Sequence, residues 1–179
     1  ATECGELEDT SVAPPEDAFQ WTVNPKNAPE DSETIKISFK KGIPIALDDV
    51  EMPGYQLVAT LNDIGSKHGI GRFDIIENRV VGIKSREVYE APGAKILHIA
   101  HTQLEKLTLD KDTWRYKQSA SNTYANLIYD GFWFSPLFDS LTTFFDSVQE
   151  VVNGEITLEL YKGNIKILSR VSENSLYNE

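Results

Sequence analysis

The chain has 179 residues, 40% of them hydrophobic and 10% aromatic, which is enough for one packed core and too apolar for an intrinsically disordered chain. Twenty-eight acidic side chains against 17 basic ones give a formal net charge of -11, which argues against nucleic-acid recognition through phosphates, although a local basic patch would still suit a small anion. No apolar run is long enough to span a bilayer, no signal peptide is visible, and the single cysteine, Cys4, cannot form an internal disulfide and fits a reducing compartment. The sequence starts at Ala1 rather than methionine and ends at "SLYNE". Both ends look cut, so the chain reads as a piece of something longer, and tag removal would account equally well for the first end.

Residues 1–32, rich in Pro, Asp and Glu, are expected to form an extended connection packed on the domain through Phe19, Trp21 and Val23. Residues 33–179 are expected to form the domain itself. In "ETIKISFKKGIPIALDD" the apolar positions Ile35, Ile37, Phe39 and then Ile43, Ile45, Leu47 alternate on either side of Lys41–Gly42, the pattern of a β-hairpin. Leu57, Val58, Leu61 and Ile64 mark a helix from about residue 55 to Lys67, ended by Gly69. Pro92 opens a second helix carrying Ile96, Leu97, Ala100, Leu104 and Leu107. A third covers roughly Thr113 to Tyr129 and stops at Gly131, and a fourth follows Pro136, with Leu137, Leu141, Phe144, Phe145 and Val148 on its apolar side. Past Asn153–Gly154, "EITLELYKGNIKILS" forms a second hairpin around Lys162–Gly163; its apolar register differs by one from the first after the turn, so two ordinary hairpins are favoured over a repeat. Hairpins imply antiparallel pairing, and the class is α+β: an antiparallel sheet from two or more β-hairpins with about four packed helices.

Three candidate motifs have a plainer structural explanation. "GIGRFD" has the start of a dinucleotide fingerprint, but Asp74 stands where the third glycine belongs, and the glycines follow a helix and precede a strand, so a helix stop and tight turn is favoured. His98, His101 and Glu105 share helical spacing, yet the neighbouring stripe of Leu97, Ala100 and Leu104 borders the core. A histidine hydrogen-bonded at a partly buried edge is favoured over a metal site. The aromatic cluster "GFWFSP" (residues 131–136) is expected in the core rather than as a base-stacking platform, because nothing basic interleaves with it.

The stretch "GIGRFDIIENRVVGIKSREVYEAPG" (residues 69–93) mixes apolar pairs with many hydrogen-bonding side chains. Asn78 suits a turn, and "RVVGIKS" reads as a strand with a glycine interruption where a ligand or another backbone approaches. Glu77 could accept from an ammonium and Tyr89 donate to a carboxylate, chemistry suited to a zwitterionic amino acid. Spacing alone leaves open, and slightly favours, a surface hairpin with a solvated Glu77–Arg79 pair.

These same residues carry a family resemblance. "SKHGIGRFDIIENRVVGIKSREVYEAPG" closely resembles the hallmark of the argininosuccinate synthase family. "PPEDAFQWTVNP" and "FKKGIPIALDD" precede it in the family's order, and "LTLDKDTWRYKQ", "YANLIYDGFWFSP" and "LYKGNIKILSRVSENSLYNE" follow. The resemblance covers essentially the whole chain. It implies an enzyme that joins citrulline and aspartate using ATP and Mg2+, through a citrullyl-adenylate, giving argininosuccinate, AMP and pyrophosphate, in a cytoplasmic homotetramer of arginine synthesis. The family's pyrophosphate loop, "SGGxDTS", does not occur here. The chain therefore resembles the synthetase domain that holds citrulline, without the family's N-terminal ATP-binding domain or C-terminal tail helix. By itself it is expected to be inactive and to carry no cofactor.

Two of the family's citrulline contacts fall on matching residues: the Glu of "D-I-x-E-N-R" is Glu77, and the Tyr of "S-R-x-x-Y-E" is Tyr89. A third, usually a serine, meets Ala1. The resemblance thus implies that Glu77 takes the α-ammonium of citrulline and Tyr89 helps fix its orientation, with the apolar pairs seating the strands in the core. Arg72, Arg79, Lys84 and Arg86 are left unsorted between the site and an interface. Alternatives are a stand-alone amino-acid-binding module and a structural assembly domain. No nucleic-acid or membrane partner is expected.

Overall fold

The structure, a computed structural model, describes residues 2–3 and 5–177; Ala1 and Cys4 lie outside the described residues. The strands are β1 (Thr2–Glu3), β2 (Glu33–Lys40), β3 (Ile43–Leu47), β4 (Val50–Glu51), β5 (Arg72–Asn78), β6 (Lys84–Glu90), β7 (Gly154–Tyr161) and β8 (Asn164–Val171). The helices are α1 (Gly54–Lys67), α2 (Pro92–Thr108), α3 (Lys111–Tyr129) and α4 (Pro136–Gln149). Two antiparallel sheets result, one of five strands in the order β4-β3-β2-β7-β8 and one of three in the order β1-β6-β5. The fold is α+β, as the sequence pattern requires.

The five-stranded sheet is two hairpins laid side by side through their first strands. Ile35 faces Leu158 and Ile37 faces Ile156 across β2 and β7, so their apolar sides coincide. Lys41–Gly42 and Lys162–Gly163 all sit at positive φ, as a two-residue hairpin turn that follows the twist of its strands requires. Helices α1 and α2 pack together across this apolar face. Leu57 and Leu61 of α1, and Ile96, Ala100 and Leu104 of α2, are fully buried in one cluster with the strand residues. The opposite face carries Lys36, Ser38, Glu155 and Glu159, which explains the strict alternation along the strands.

Helices α3 and α4 form a hairpin beside this core rather than within it. Only Ala120 of α3 and no residue of α4 is fully buried. Trp114 and Val148 touch the main cluster, and the pair is held by its own aromatics, with the Tyr124 and Phe138 rings stacked at 4.7 Å. Asp110 and Ser135 cap the two helices by accepting from backbone N–H groups of the first turn. The expectation that "GFWFSP" is core is overturned. Phe134 is 96% exposed and Phe132 and Trp133 about half exposed, because this stretch is the loop that closes the α3–α4 hairpin on its outer side.

The histidine stripe resolves as a structural network. His98 is exposed, while His101 Nε2 lies 2.7 Å from Gln149 Oε1. Glu105, fully buried, accepts from Gln149 at 2.8 Å and pairs with Lys117 at 2.9 Å. It ties α2 to α3 and α4, and among the described residues no group of three His, Cys, Asp or Glu is placed to hold a metal ion. No helix is long and apolar enough to cross a membrane.

The N-terminal segment wraps onto the smaller sheet through three short 3-10 turns at Gly5–Glu8, Glu16–Ala18 and Pro25–Asn27. Its anchors differ in part from the expected ones. Leu7 and Ala18 are buried against Val88 with Phe19 beside them, whereas Trp21 and Val23 stay roughly half exposed. Leu158→Ala, emptying the centre of the main cluster, is expected to destabilise the domain by about 2–5 kcal/mol in urea unfolding, while Val81→Ala at the exposed hairpin tip should change stability by less than about 0.5 kcal/mol.

Candidate functional site

The residues from 69 to 93 form a helix exit, a hairpin and a helix entry. Gly69 and Gly71 both lie at positive φ between α1 and β5. A Cβ on Gly71 would stand 2.6 Å from the backbone of Ala91 and Pro92, so this glycine lets the start of β5 cross the start of α2. The glycine pair is thus filled by protein backbone and is a turn rather than a phosphate cradle. "RVVGIKS" is not one interrupted strand. Arg79–Ile83 is the turn between β5 and β6, closed by Arg79 N–H donating to Ile83 O and Gly82 N–H donating to Arg79 O. Nor do the apolar pairs seat the strands in the core, since Val80 and Val81 are more than 70% exposed and Ile75 and Ile76 also face outward. The strands are held instead by pairing and by one polar face.

The pairing register decides which side chains meet. Glu77 faces Ser85, Ile75 faces Glu87 and Phe73 faces Tyr89, so Glu77, Ser85, Glu87 and Tyr89 project from one side of the sheet. Arg72, Asp74, Arg86, Val88 and Glu90 project from the other side, towards the N-terminal segment.

That second side sorts most of the basic residues. Arg72 reaches Glu16 at 2.8 Å and donates to Thr22 Oγ1 at 2.8 Å, with its guanidinium over the Phe19 ring. Arg86 holds Asp74 with two bonds of 2.8 and 2.7 Å and donates to Asp9 O at 2.9 Å. Its hydrogen bonds keep the Asp74 carboxyl below the ordinary range. Lys84 donates to Asn78 Oδ1 next to the turn. Glu90 accepts from the backbone N–H groups of Gln20, Trp21 and Thr22 and from the Thr22 hydroxyl. Arg72, Lys84 and Arg86 are thus each engaged by groups of the protein.

Arg79 belongs to the first side. Its Nη2 lies 2.5 Å from Glu87 Oε1, its Nε donates to Ser85 Oγ at 2.8 Å and stands 3.9 Å from Glu77 Oε1. Tyr89 Oη is 3.4 Å from both oxygens of Glu77 but donates to Glu87 Oε2 at 2.6 Å. Glu87, 4% exposed, also accepts from Ser85 Oγ at 3.0 Å. The Tyr89 bond first, then Ser85, Glu77 and the Arg79 charge, hold Glu87 below the usual carboxylate range against the effect of burial. Reciprocally, Glu87 and burial push the Tyr89 phenol well above its ordinary value. The cluster sets two carboxyl groups, Glu77 and Glu87, around the Arg79 guanidinium. The structure thus brings Glu77 and Tyr89 together. Glu87 and Ser85 were missed in the sequence, although their period-two spacing from Tyr89 was there to be read. Ala1 lies outside the described residues. A groove of about 930 Å3 runs along the hairpin tip past Arg79, Ser85 and Tyr129, and neither Glu77 nor Tyr89 lines it. Those two instead occupy the sheet face itself.

An α+β domain displaying a hydrogen-bonded cluster of Glu77, Arg79, Ser85, Glu87 and Tyr89 on a hairpin face is the class that this geometry defines. The sequence model of the Arginosuccinate synthase C-terminal domain matches residues 1–179, and the chain belongs to that family. It is 57% identical over 177 residues to argininosuccinate synthase of Chlorobium limicola, covering 99% of this chain and 44% of that protein. The corresponding enzymes of Pelodictyon phaeoclathratiforme and Chlorobium chlorochromatii are 55% and 54% identical, with the same coverage. The chain thus spans less than half the length of these curated relatives.

The polar clasp at Glu90 has a pH signature. Burial alone would raise the Glu90 pKa, but the donors from Thr22, Gln20 and Trp21 outweigh it and hold the folded value below the ordinary one. Its stabilising contribution is therefore present above the unfolded carboxylate pKa of about 4.3 and is lost as pH falls through the folded value. Amide hydrogen exchange, corrected for intrinsic rates, should show protection at Gln20–Thr22 declining below that range; Glu90→Gln should show reduced protection already at neutral pH.

Proposed function

We propose that this chain is the citrulline-holding part of an ATP-dependent ligase that joins citrulline and aspartate to give argininosuccinate, AMP and pyrophosphate. Family membership supports the reaction class, and the convergence of Glu77 and Tyr89 on one sheet face carries the site assignment. Glu77 takes the α-ammonium, the strongest donor that a zwitterionic amino acid offers to a carboxylate. Tyr89, 3.4 Å from that carboxylate, fixes the direction in which the rest of the substrate extends. The contribution to rate is positional: a ureido oxygen held in one place reacts as though the step were intramolecular. Neither residue is needed as an acid or base.

Two features of the described residues favour placing Mg2+ and ATP elsewhere in the full-length protein. The paired glycines are packed against Val23, Ala91 and Pro92 backbone, and among the described residues no group of three or more His, Cys, Asp or Glu is placed to hold a metal ion. We assign ATP and Mg2+ to a separate ATP-binding domain closing over this face, and expect the 179-residue chain alone to be inactive. The exposed aromatic loop between α3 and α4 is the surface we assign to subunit contact in a cytoplasmic homotetramer.

In the full-length protein, Glu77→Gln and Tyr89→Phe are each expected to raise the KM for citrulline about tenfold or more, the size of one hydrogen bond to a charged group, with the KM for ATP within about twofold of the parent. Steady-state kinetics with each substrate varied in turn make the comparison; an unchanged citrulline KM in both variants would remove the assignment.

A further inference from the structure

Tyr89 has one phenolic proton and two carboxylates in reach, and the distances are unequal. Glu87 Oε2 is at 2.6 Å, while both Glu77 oxygens are at 3.4 Å. The proton therefore belongs to the Tyr89–Glu87 bond, since an O–H···O contact loses strength quickly beyond about 3.0 Å. Glu87 is held in place to receive it. It is buried, bonded by Ser85 Oγ and paired with Arg79 Nη2, so its second oxygen is fixed and its charge balanced. A Tyr hydroxyl has one donor and two acceptor positions. With the donor committed to Glu87, only lone pairs remain for the side of the ring that faces Glu77.

We infer that Glu87 is a positioning residue that sets the polarity of Tyr89: by taking the phenolic proton it makes Glu77 and Tyr89 a pair of acceptors, selective for a substrate ammonium. This rests on the reading of the site as an amino-acid site and reverses the expected direction of one contact. Tyr89 accepts from the ammonium instead of donating to a carboxylate. A substrate lacking the α-amino group would meet two acceptors and no donor, so the same arrangement rejects des-amino analogues.

The test uses three substitutions of Glu87 and its partner in the full-length protein. Glu87→Gln keeps a carbonyl oxygen that can accept from Tyr89, whereas Glu87→Met fills similar space with no acceptor. If Glu87 acts through Tyr89, Met raises the citrulline KM about tenfold with kcat little changed, and Gln stays within about threefold of the parent. The Met effect also disappears in a Tyr89→Phe background, the non-additivity expected of residues acting through one group. Inhibition by 5-ureidopentanoate, the analogue without the α-amino group, is unchanged or stronger in the Met variant. Equal losses for Gln and Met would mean that charge alone matters and would overturn the inference, as would a Met effect that persists without the Tyr89 hydroxyl. Should Glu87→Met fail to fold because Arg79 loses its counter-ion, the Arg79→Met/Glu87→Met pair is compared with Arg79→Met alone, since replacing both partners leaves no buried charge unpaired. The same tenfold difference is expected there, and its absence overturns the inference. If Glu77→Gln and Tyr89→Phe themselves leave the citrulline KM unchanged, the substrate reading has failed; if they raise it while Glu87→Met behaves as the parent, only the polarity inference has.

Discussion

The antiparallel register of β5 and β6 is the constraint on which the site depends. Glu77 opposite Ser85, and Phe73 opposite Tyr89, put four polar side chains and the Arg79 guanidinium on one face. Side chains alternate with a period of two, so a one-residue slip would send Glu77 or its partners to the opposite side. On that face the same register also places Phe73 and Ile75. It is fixed from behind, where Val88 is buried with Leu7 and Ala18, Arg86 grips Asp74 with two bonds, and Glu90 gathers three consecutive backbone N–H groups of the N-terminal segment. The site and its support are the two faces of one small sheet.

Charge is arranged around this sheet in two different ways. On the supporting side, each arginine is matched to a carboxylate and to a backbone or hydroxyl acceptor, and the pairs link segments far apart in sequence, such as Arg72 with Glu16. On the site side, one guanidinium serves Glu87 closely and Glu77 only distantly, at 3.9 Å. Glu87 therefore has shorter protein partners than Glu77, which Tyr89 Oη approaches only to 3.4 Å.

The main core explains why the small sheet can be so polar. Stability resides in the β2–β7 apolar face and the α1 and α2 stripes, where Ile37, Leu61, Ile96, Leu104 and Leu158 are completely shielded from solvent. The smaller sheet is joined to that core at both ends of its hairpin: Gly71 leads out of α1 at the foot of β5, and Pro92 starts α2 just after β6. The hairpin needs only to be oriented by the core, and its own faces are free to carry chemistry. Its tip, with Val80, Val81 and Ile83 exposed, lies close to the aromatic loop of α3–α4, because Tyr129 Oη donates to Asn78 O.

Much of the fold was legible in the sequence because local rules decide it. Period-two alternation across Lys-Gly turns fixed both large hairpins, and Gly69, Pro92, Gly131 and Pro136 punctuate the helices within a few residues of where they end or begin. Glu77 and Tyr89 were singled out through family resemblance, and the structure places the Tyr89 hydroxyl 3.4 Å from both Glu77 oxygens. What sequence could not decide was burial and direction. "GFWFSP" and Val80–Val81 look like core by composition, but each lies on a loop with no element packed over it among the described residues. The arginines of the 69–93 stretch look alike in one dimension; the pairing of β5 with β6 turns Arg72 and Arg86 towards the N-terminal segment, and Arg79, in the turn, reaches Ser85 and Glu87. Glu87 is one more charged residue in a polar run until its strand turns it beneath Tyr89. Residue type and local spacing determine which elements form; which face of an element is covered, and which donor reaches which acceptor, depends on contacts between segments distant in sequence, and those exist only once the chain is folded.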